Sequence, residues 1–331
     1  MKKRTILLLL IAVISCKKNT PTSKELVAEI EYKIPAKLGE GPFWDYKNNV
    51  LYWVDIIGES LNVYAPKDKT NKEIKMPAPI GTVVPSEEKN KVIVALNDGV
   101  YVVDITTEEI TKLADVEADN PGTRLNDGKC DPNGNLWIGA MDYSQKNPGG
   151  NLHKVDAQGN VTKMLGNITI SNGIVWSKDH KTMYYIDTPT THIKAYDFDI
   201  GTSTISNERI VATIPVEDGA PDGMAIDEND TLWVGLWNGD GIVNYDPKTG
   251  KRIQKIKVPA HNVTACAFGG ENLDILYITT SNLDMTAEEQ AKYPDAGSIF
   301  KIKLNTKGVR SDFFKKPILK DTLLTNQETT K

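Results

Sequence analysis

The chain has 331 residues, with 39 Lys+Arg against 44 Asp+Glu and a formal net charge of −5. An apolar fraction of 40% and a charged fraction of 25% belong to a folded globular body, large enough for one big domain or two ordinary ones. The acidic balance excludes nucleic-acid binding by phosphate neutralisation, and three cysteines are too few for a disulfide framework.

The first sixteen residues stand apart from the rest. Met1–Arg4 is a basic stub, and Ile6–Ile14 is an unbroken apolar run. As a helix that run rises only about 14 Å, against a bilayer core of roughly 30 Å, so it reads as a signal-peptide h-region. The Val13-Ile14-Ser15-Cys16 that closes it is similar to a bacterial lipobox, in which the cysteine becomes the lipidated first residue. Residues 17–25 are polar and read as a tether. Together these segments predict a lipoprotein of the bacterial cell envelope, facing the periplasm or the cell surface. Its only membrane contact would be a lipid anchor at Cys16. The folded body is expected over 26–310, with 311–331 as a C-terminal tail.

From residue 50 onward one strand pattern recurs. Its copies are Leu51-Tyr52-Trp53, Ile93-Val94, Leu136-Trp137-Ile138, Met183-Tyr184-Tyr185, Leu232-Trp233-Val234 and Leu276-Tyr277-Ile278. The first residues of these copies are spaced 42, 43, 47, 49 and 44 apart. Each copy is followed by a second strand, such as Ser60–Tyr64 or Gly241–Asp246, and hairpin chemistry such as Pro132-Asn133-Gly134 links the segments. Six copies of several short β segments predict an all-β, six-bladed β-propeller rather than a helical solenoid. The one helical candidate is Thr286–Lys292, in a loop.

The innermost strand of each blade would precede its anchor by about ten residues and line the central channel. Four of the six strand entries share a polar residue followed by glycine, or by Asp-Gly: Glu40-Gly41, Asn126-Asp127-Gly128, Asn172-Gly173 and Asp222-Gly223. Any one of these could be an ordinary Asx turn. The same grammar at equivalent points of several repeats points instead to side chains converging on the propeller axis. Glu, Asn and Asp are hard oxygen donors, suited to Ca²⁺, Mg²⁺ or Mn²⁺ before zinc. With four histidines, none paired at ligand spacing, a His-rich zinc site is not expected.

These segments, with Leu38–Trp44, Arg124–Pro132, Ser171–Trp176, Pro221–Ile226 and Ala296–Ile302, resemble the gluconolactonase family that includes regucalcin and luciferin-regenerating enzyme. The likeness runs from about Val27 to Lys303. It implies a six-bladed propeller with one axial divalent metal and hydrolysis of a sugar lactone. By that resemblance Glu40, Asn172 and Asp222 match metal ligands, and Asp222 also matches the catalytic general acid/base. Arg124 and Asn126 match substrate-contacting positions, with Asp127 near the metal. One departure concerns the substrate: where the animal members of the family carry a substrate-binding Glu, this chain reads Asp142-Tyr143-Ser144, with Ser144 at that position. The implied cofactor is one divalent cation; Ca²⁺ suits the ligands, and Zn²⁺, Mn²⁺, Mg²⁺ and Fe²⁺ stay open.

Of the remaining candidates, Asp142, Trp237 and His261 lie where they could reach the pocket. His153, His180 and His192 read as structural, and Trp44, Trp53, Trp137, Trp176 and Trp233 as core. Cys130 and Cys266 sit in apolar strand-like stretches and read as buried free thiols. No Gly-x-Ser-x-Gly elbow and no phosphate loop is present. The expected function is thus metal-dependent hydrolysis of a sugar lactone to the sugar acid. The alternatives are an organophosphate or aryl ester hydrolase on the same site, or a non-catalytic envelope propeller binding a glycan or a protein.

Overall fold

A computed structural model describes residues 25–319. The segment read as a signal peptide, Cys16 and the residues beyond 319 lie outside the described residues. Six sheets follow one another around a ring, five of four antiparallel strands and one of five, in which Leu26–Val27 adds a parallel edge strand to Lys251–Lys257. Their innermost strands are Gly39–Asp45, Thr82–Pro85, Thr123–Cys130, Ser171–Trp176, Ala220–Ile226 and Asn262–Gly269, for blades 1 to 6. This is the expected all-β, six-bladed propeller.

The repeat folds as it does because its turns are chemically prepared. In every blade the loop after the innermost strand holds a residue in the left-handed region: Asn49, Asn90, Gly134, His180, Asp230 and, in blade 6, Gly270 together with Leu273, at φ between 54° and 80°. Asn, Asp and Gly tolerate that region best, which is why they punctuate the sequence there. In blade 3 the Asp131 carboxylate accepts from the Asn133 and Asn135 amides, each at 2.9 Å, and from the Trp137 indole at 2.9 Å. Asp227 does the same in blade 5 for Asn229, Thr231 and Trp233. The hairpin and the core tryptophan are thereby fixed by one side chain. Trp53, Trp137 and Trp233 are fully buried and Trp44 and Trp176 nearly so, as expected. Cys130 and Cys266 are buried free thiols.

Two features of the ring have no counterpart in the repeat pattern. The outer strand of blade 6 comes from the opposite end of the chain: Glu29–Tyr32 pairs antiparallel with Ile299–Lys303 and closes the circle. The chain after blade 6 then crosses the face opposite the strand entries. Gly308 bridges to Asp227, Asp312 to Cys130 and Phe314 to Ser86, and the Ile318 amide donates to the Ala157 carbonyl. Phe313 and Phe314 are buried in the core of blades 1 to 3. The residues expected as a tail therefore pack on the ring as far as Ile318, because two adjacent phenylalanines cover apolar surface at the channel end. Lys129, Trp176, His180 and Asp312 line a cavity at this mouth. The helix forms at Ala287–Lys292, capped by Thr286, whose hydroxyl accepts from the Glu289 amide.

Candidate active site on the propeller axis

The polar entry residues reach the axis through a shared backbone device. In blade 1 the pairing with the neighbouring strand shifts between Glu40 and Phe43, and in blade 3 between Leu125 and Gly128. The same shift occurs at Asn172/Ile174, Pro221/Met224 and Val263/Cys266. A bulge adds an unpaired residue and re-aims its side chain. Glu40, Asn126, Asn172 and Asp222 all sit at these bulges. Blade 2 has none, and its Thr82 lies lower in the channel, its hydroxyl donating to the Gly128 carbonyl. The glycines serve close approach. A Cβ on Gly173 would lie 2.8 Å from the Asp222 carbonyl oxygen, and one on Gly223 2.4 Å from the Ala265 Cβ.

Glu40, Arg124, Asn126, Asn172 and Asp222 are all buried, none more than 8% exposed. The chain of contacts is continuous. Arg124 Nη1 donates to Asn126 Oδ1 at 2.7 Å, and Asn126 Nδ2 donates to Asn172 Oδ1 at 3.0 Å. Asn172 Nδ2 donates to Thr188 Oγ1 at 2.8 Å, and Thr188 Oγ1 to the Pro221 carbonyl, also at 2.8 Å. Glu40 Oε2 accepts from the Gly41 amide at 2.9 Å, and the Glu40 and Asp222 carboxyl groups lie within hydrogen-bonding reach of each other.

Two buried carboxyl groups in contact cannot both ionise without compensation. Burial pushes Glu40 up to about 8, with the Asp127 charge adding to it and the Gly41 amide and Arg124 opposing. Burial, then Glu40, then Asp127 push Asp222 well above the usual carboxylate range. Burial also raises Asp127, which lines the channel just below with Lys129, Thr82 and Cys266. Burial lowers Arg124 to about 10, so it stays charged at neutral pH, near Tyr143, Glu40 and Asp222.

This donor set fits a hard divalent cation: two carboxylates crowded against each other, with an amide oxygen alongside and no sulfur or imidazole. Among the described residues no three His, Cys, Asp or Glu side chains group as a metal site. The fit therefore rests on Glu40, Asp222 and the Asn172 amide.

Two expected pocket residues are placed elsewhere. His261 Nδ1 meets Asp240 Oδ1 at 2.9 Å, its Nε2 meets Glu289 Oε1 at 3.3 Å, and its ring stacks on Tyr293. These partners hold it on the rim between blades 5 and 6. Asp142 is spent in its own turn, accepting from the Ser144 amide at 3.0 Å and from the Ser144 hydroxyl. Trp237 is half-buried at the entry end of blade 5 and packs against the core cluster. Thr188 belongs to the site and Lys129 lies below it beside Asp127; neither carried a sequence signal of its own. Lys129 Nζ crosses from blade 3 to the Met224 carbonyl of blade 5 at 3.1 Å.

Residues 38–282 match the family model described as SMP-30/Gluconolactonase/LRE-like region. The "Putative sugar lactone lactonase YvrE" of Bacillus subtilis is 38% identical over 281 residues, covering 85% of this chain and 96% of that protein. A luciferin-regenerating enzyme structure superposes with a TM-score of 0.81 at 32% identity, covering 88% of this chain and 99% of the other. A structure described as a calcium-binding protein, regucalcin, from Agrobacterium tumefaciens superposes at 0.82 with 26% identity, covering 89% and 98%. A matched region spanning most of the ring, together with relatives aligned over nearly their whole length, makes this chain a member of the SMP-30/gluconolactonase/LRE-like family.

Proposed function

We propose that this chain hydrolyses a lactone to its hydroxy acid at the axial site, with a divalent cation held by Glu40, Asn172 and Asp222. The observation that carries the reading is the contact between the buried Glu40 and Asp222 carboxyls beside a buried Arg124. The lactonase name of the Bacillus subtilis relative supports the reaction class, and the calcium-binding description of the Agrobacterium structure supports a cation.

When bound, the cation supplies Lewis-acid polarisation of the carbonyl and stabilises the negative charge that develops in the transition state. Both carboxylates are ionised in the loaded site. Asp222 then takes a proton from the water attacking the carbonyl carbon, and returns it to the ring oxygen as the C–O bond breaks. Arg124, pinned at Nη1 by Asn126 and the Leu125 carbonyl, offers its other donors to the substrate oxygens and to the emerging carboxylate. Asn126 orients both neighbours at once, donating to Asn172 and to the Ser171 carbonyl.

The test is a lactone panel on metal-stripped protein with single-metal add-back. Turnover restored by one of Ca²⁺, Zn²⁺, Mn²⁺, Mg²⁺ or Fe²⁺ is the expected result. Undiminished turnover in the stripped protein overturns the role of the cation. The envelope location rests on the Ile6–Ile14 run and Cys16 alone; mass spectrometry of the mature N-terminus should find a lipidated Cys16.

A further inference from the structure

The strand register places one aromatic residue over the site that the motif reading left without a role. In blade 3, Thr123 pairs with Asp142 and Arg124 with Met141, and the Tyr143 amide donates to the Gly122 carbonyl at 3.0 Å. Side chains alternate across a strand, so Arg124 and Tyr143 lie diagonally on the same face of the blade, within reach of long side chains. Arg124 is buried, whereas Tyr143 is 52% exposed and has no aromatic neighbour among the described residues. Its loop is nonetheless held. The Ser144 amide and hydroxyl are bound by Asp142, and the Ser144 oxygen accepts from the Lys146 amide and from Asn147 Nδ2. The two polar residues flanking Tyr143 thus spend their hydrogen bonds on the loop itself, and an aromatic ring is what the loop leaves free beside Arg124.

We propose that Tyr143 is a substrate-contacting specificity residue, its ring laid against the lactone held at Arg124, so that this chain favours lactones bearing an apolar substituent. The inference rests on the lactone reading for the identity of the ligand. An exposed ring that becomes covered on binding supplies apolar contact at small entropic cost. One apolar group more or less in such a contact changes binding about tenfold or more.

The experiment compares gluconolactone with a butyrolactone carrying a butyl chain, and their two hydroxy acids, on wild type, Tyr143→Ala and Tyr143→Phe. Kinetics should show Tyr143→Ala raising KM for the butyl lactone about tenfold more than for gluconolactone, with the kcat ratio kept. Tyr143→Phe should behave as wild type. Calorimetry with the butyl hydroxy acid and gluconate should show the same tenfold divergence in affinity. Equal changes for both probes, or none for either, in variants that melt as wild type does, overturn the proposal. Absence of all lactone turnover, with acid binding still dependent on Tyr143, overturns the hydrolase reading and leaves the contact standing.

Discussion

Two buried glutamates, one on the rim of blade 3 and one on the axis, have opposite fates. The Glu117 side chain is 3% exposed and accepts from Asn151 Nδ2 at 2.5 Å, His153 Nε2 at 2.7 Å and Asn120 Nδ2 at 2.8 Å. Burial alone would raise it, but the bonds from His153, Asn151 and Asn120 outweigh burial and hold it at about 2. Glu40 is enclosed more deeply and has one amide donor; burial first, and then the Asp127 charge, raise it to about 8. A carboxylate ringed by donors is complete without a ligand. One ringed by other carboxylates calls for a cation or a proton. Both side chains are shielded, Glu40 the more completely, so depth of burial and the number of donors together separate the structural carboxylate from the functional one.

The sharpest way to break that comparison is at Asp222. Asp222→Asn should lower lactone turnover at least a hundredfold, because it removes the proton acceptor and one cation ligand together. The metal-free variant should melt no lower than metal-free wild type, since a buried ionisable carboxyl has been replaced by a neutral amide. Turnover above about a tenth of wild type would sink the assignment. At Glu40 the expected loss is in the cation. Glu40→Gln should weaken metal binding by an order of magnitude or more in calorimetry, whereas Arg124→Ala, which removes no ligand, should retain it. The reverse result would exchange their roles.

Much of this was legible in the residues. The spacing of six strand anchors is the ring itself, and the repeated Glu-Gly, Asn-Gly and Asp-Gly entries mark the bulges that aim side chains at the axis. The limits were equally physical. Glu29–Tyr32 is a four-residue strand whose place is decided by ring closure, and nothing in Glu-Ile-Glu-Tyr says which edge it will join. His261 precedes a blade entry just as the axial residues do, yet Asp240, Glu289 and Tyr293 draw it to the rim. Asp142 follows the right strand, but its own turn consumes it. Both misplacements have one origin: position along a repeat fixes where a residue starts, and local hydrogen bonding fixes where its side chain ends. Phe313-Phe314, beyond the last repeat, covers the opposite mouth with no periodicity to announce it.

A smaller effect tests the other half of the comparison. Glu117 has a folded value near 2, below the ordinary glutamate value of about 4.3. A depressed acid stabilises the fold above its unfolded value, and that contribution is lost as pH falls through the folded one. Glu117→Gln should therefore cost about 1–3 kcal/mol at pH 7. In denaturant melts the gap to wild type should close progressively between about pH 4.5 and pH 2. A gap that stays constant with pH would mean that the amide geometry, not the charge, was lost.

The smallest effect is expected at Asp312, an intermediate case on the chain that crosses the far mouth. Burial, opposed by nearby His180 and Lys315 and reinforced by Asp131, moves its carboxyl up to about 6. Here the sign reverses. A raised acid is favoured protonated in the fold, so its ionisation costs stability as pH climbs from about 4 through about 6. The penalty is then constant at higher pH. Asp312→Asn should consequently match wild type below pH 4 and be the more stable protein above pH 6. Its partial exposure lets solvent screen the charge, and the gain should be about 1 kcal/mol or less. Because Asp312 lies at the mouth opposite Glu40 and Asp222, lactone turnover and metal affinity should not follow that gain. Catalysis that tracked it would show the two ends of the channel to be electrostatically joined, through Asp127 and Lys129 between them.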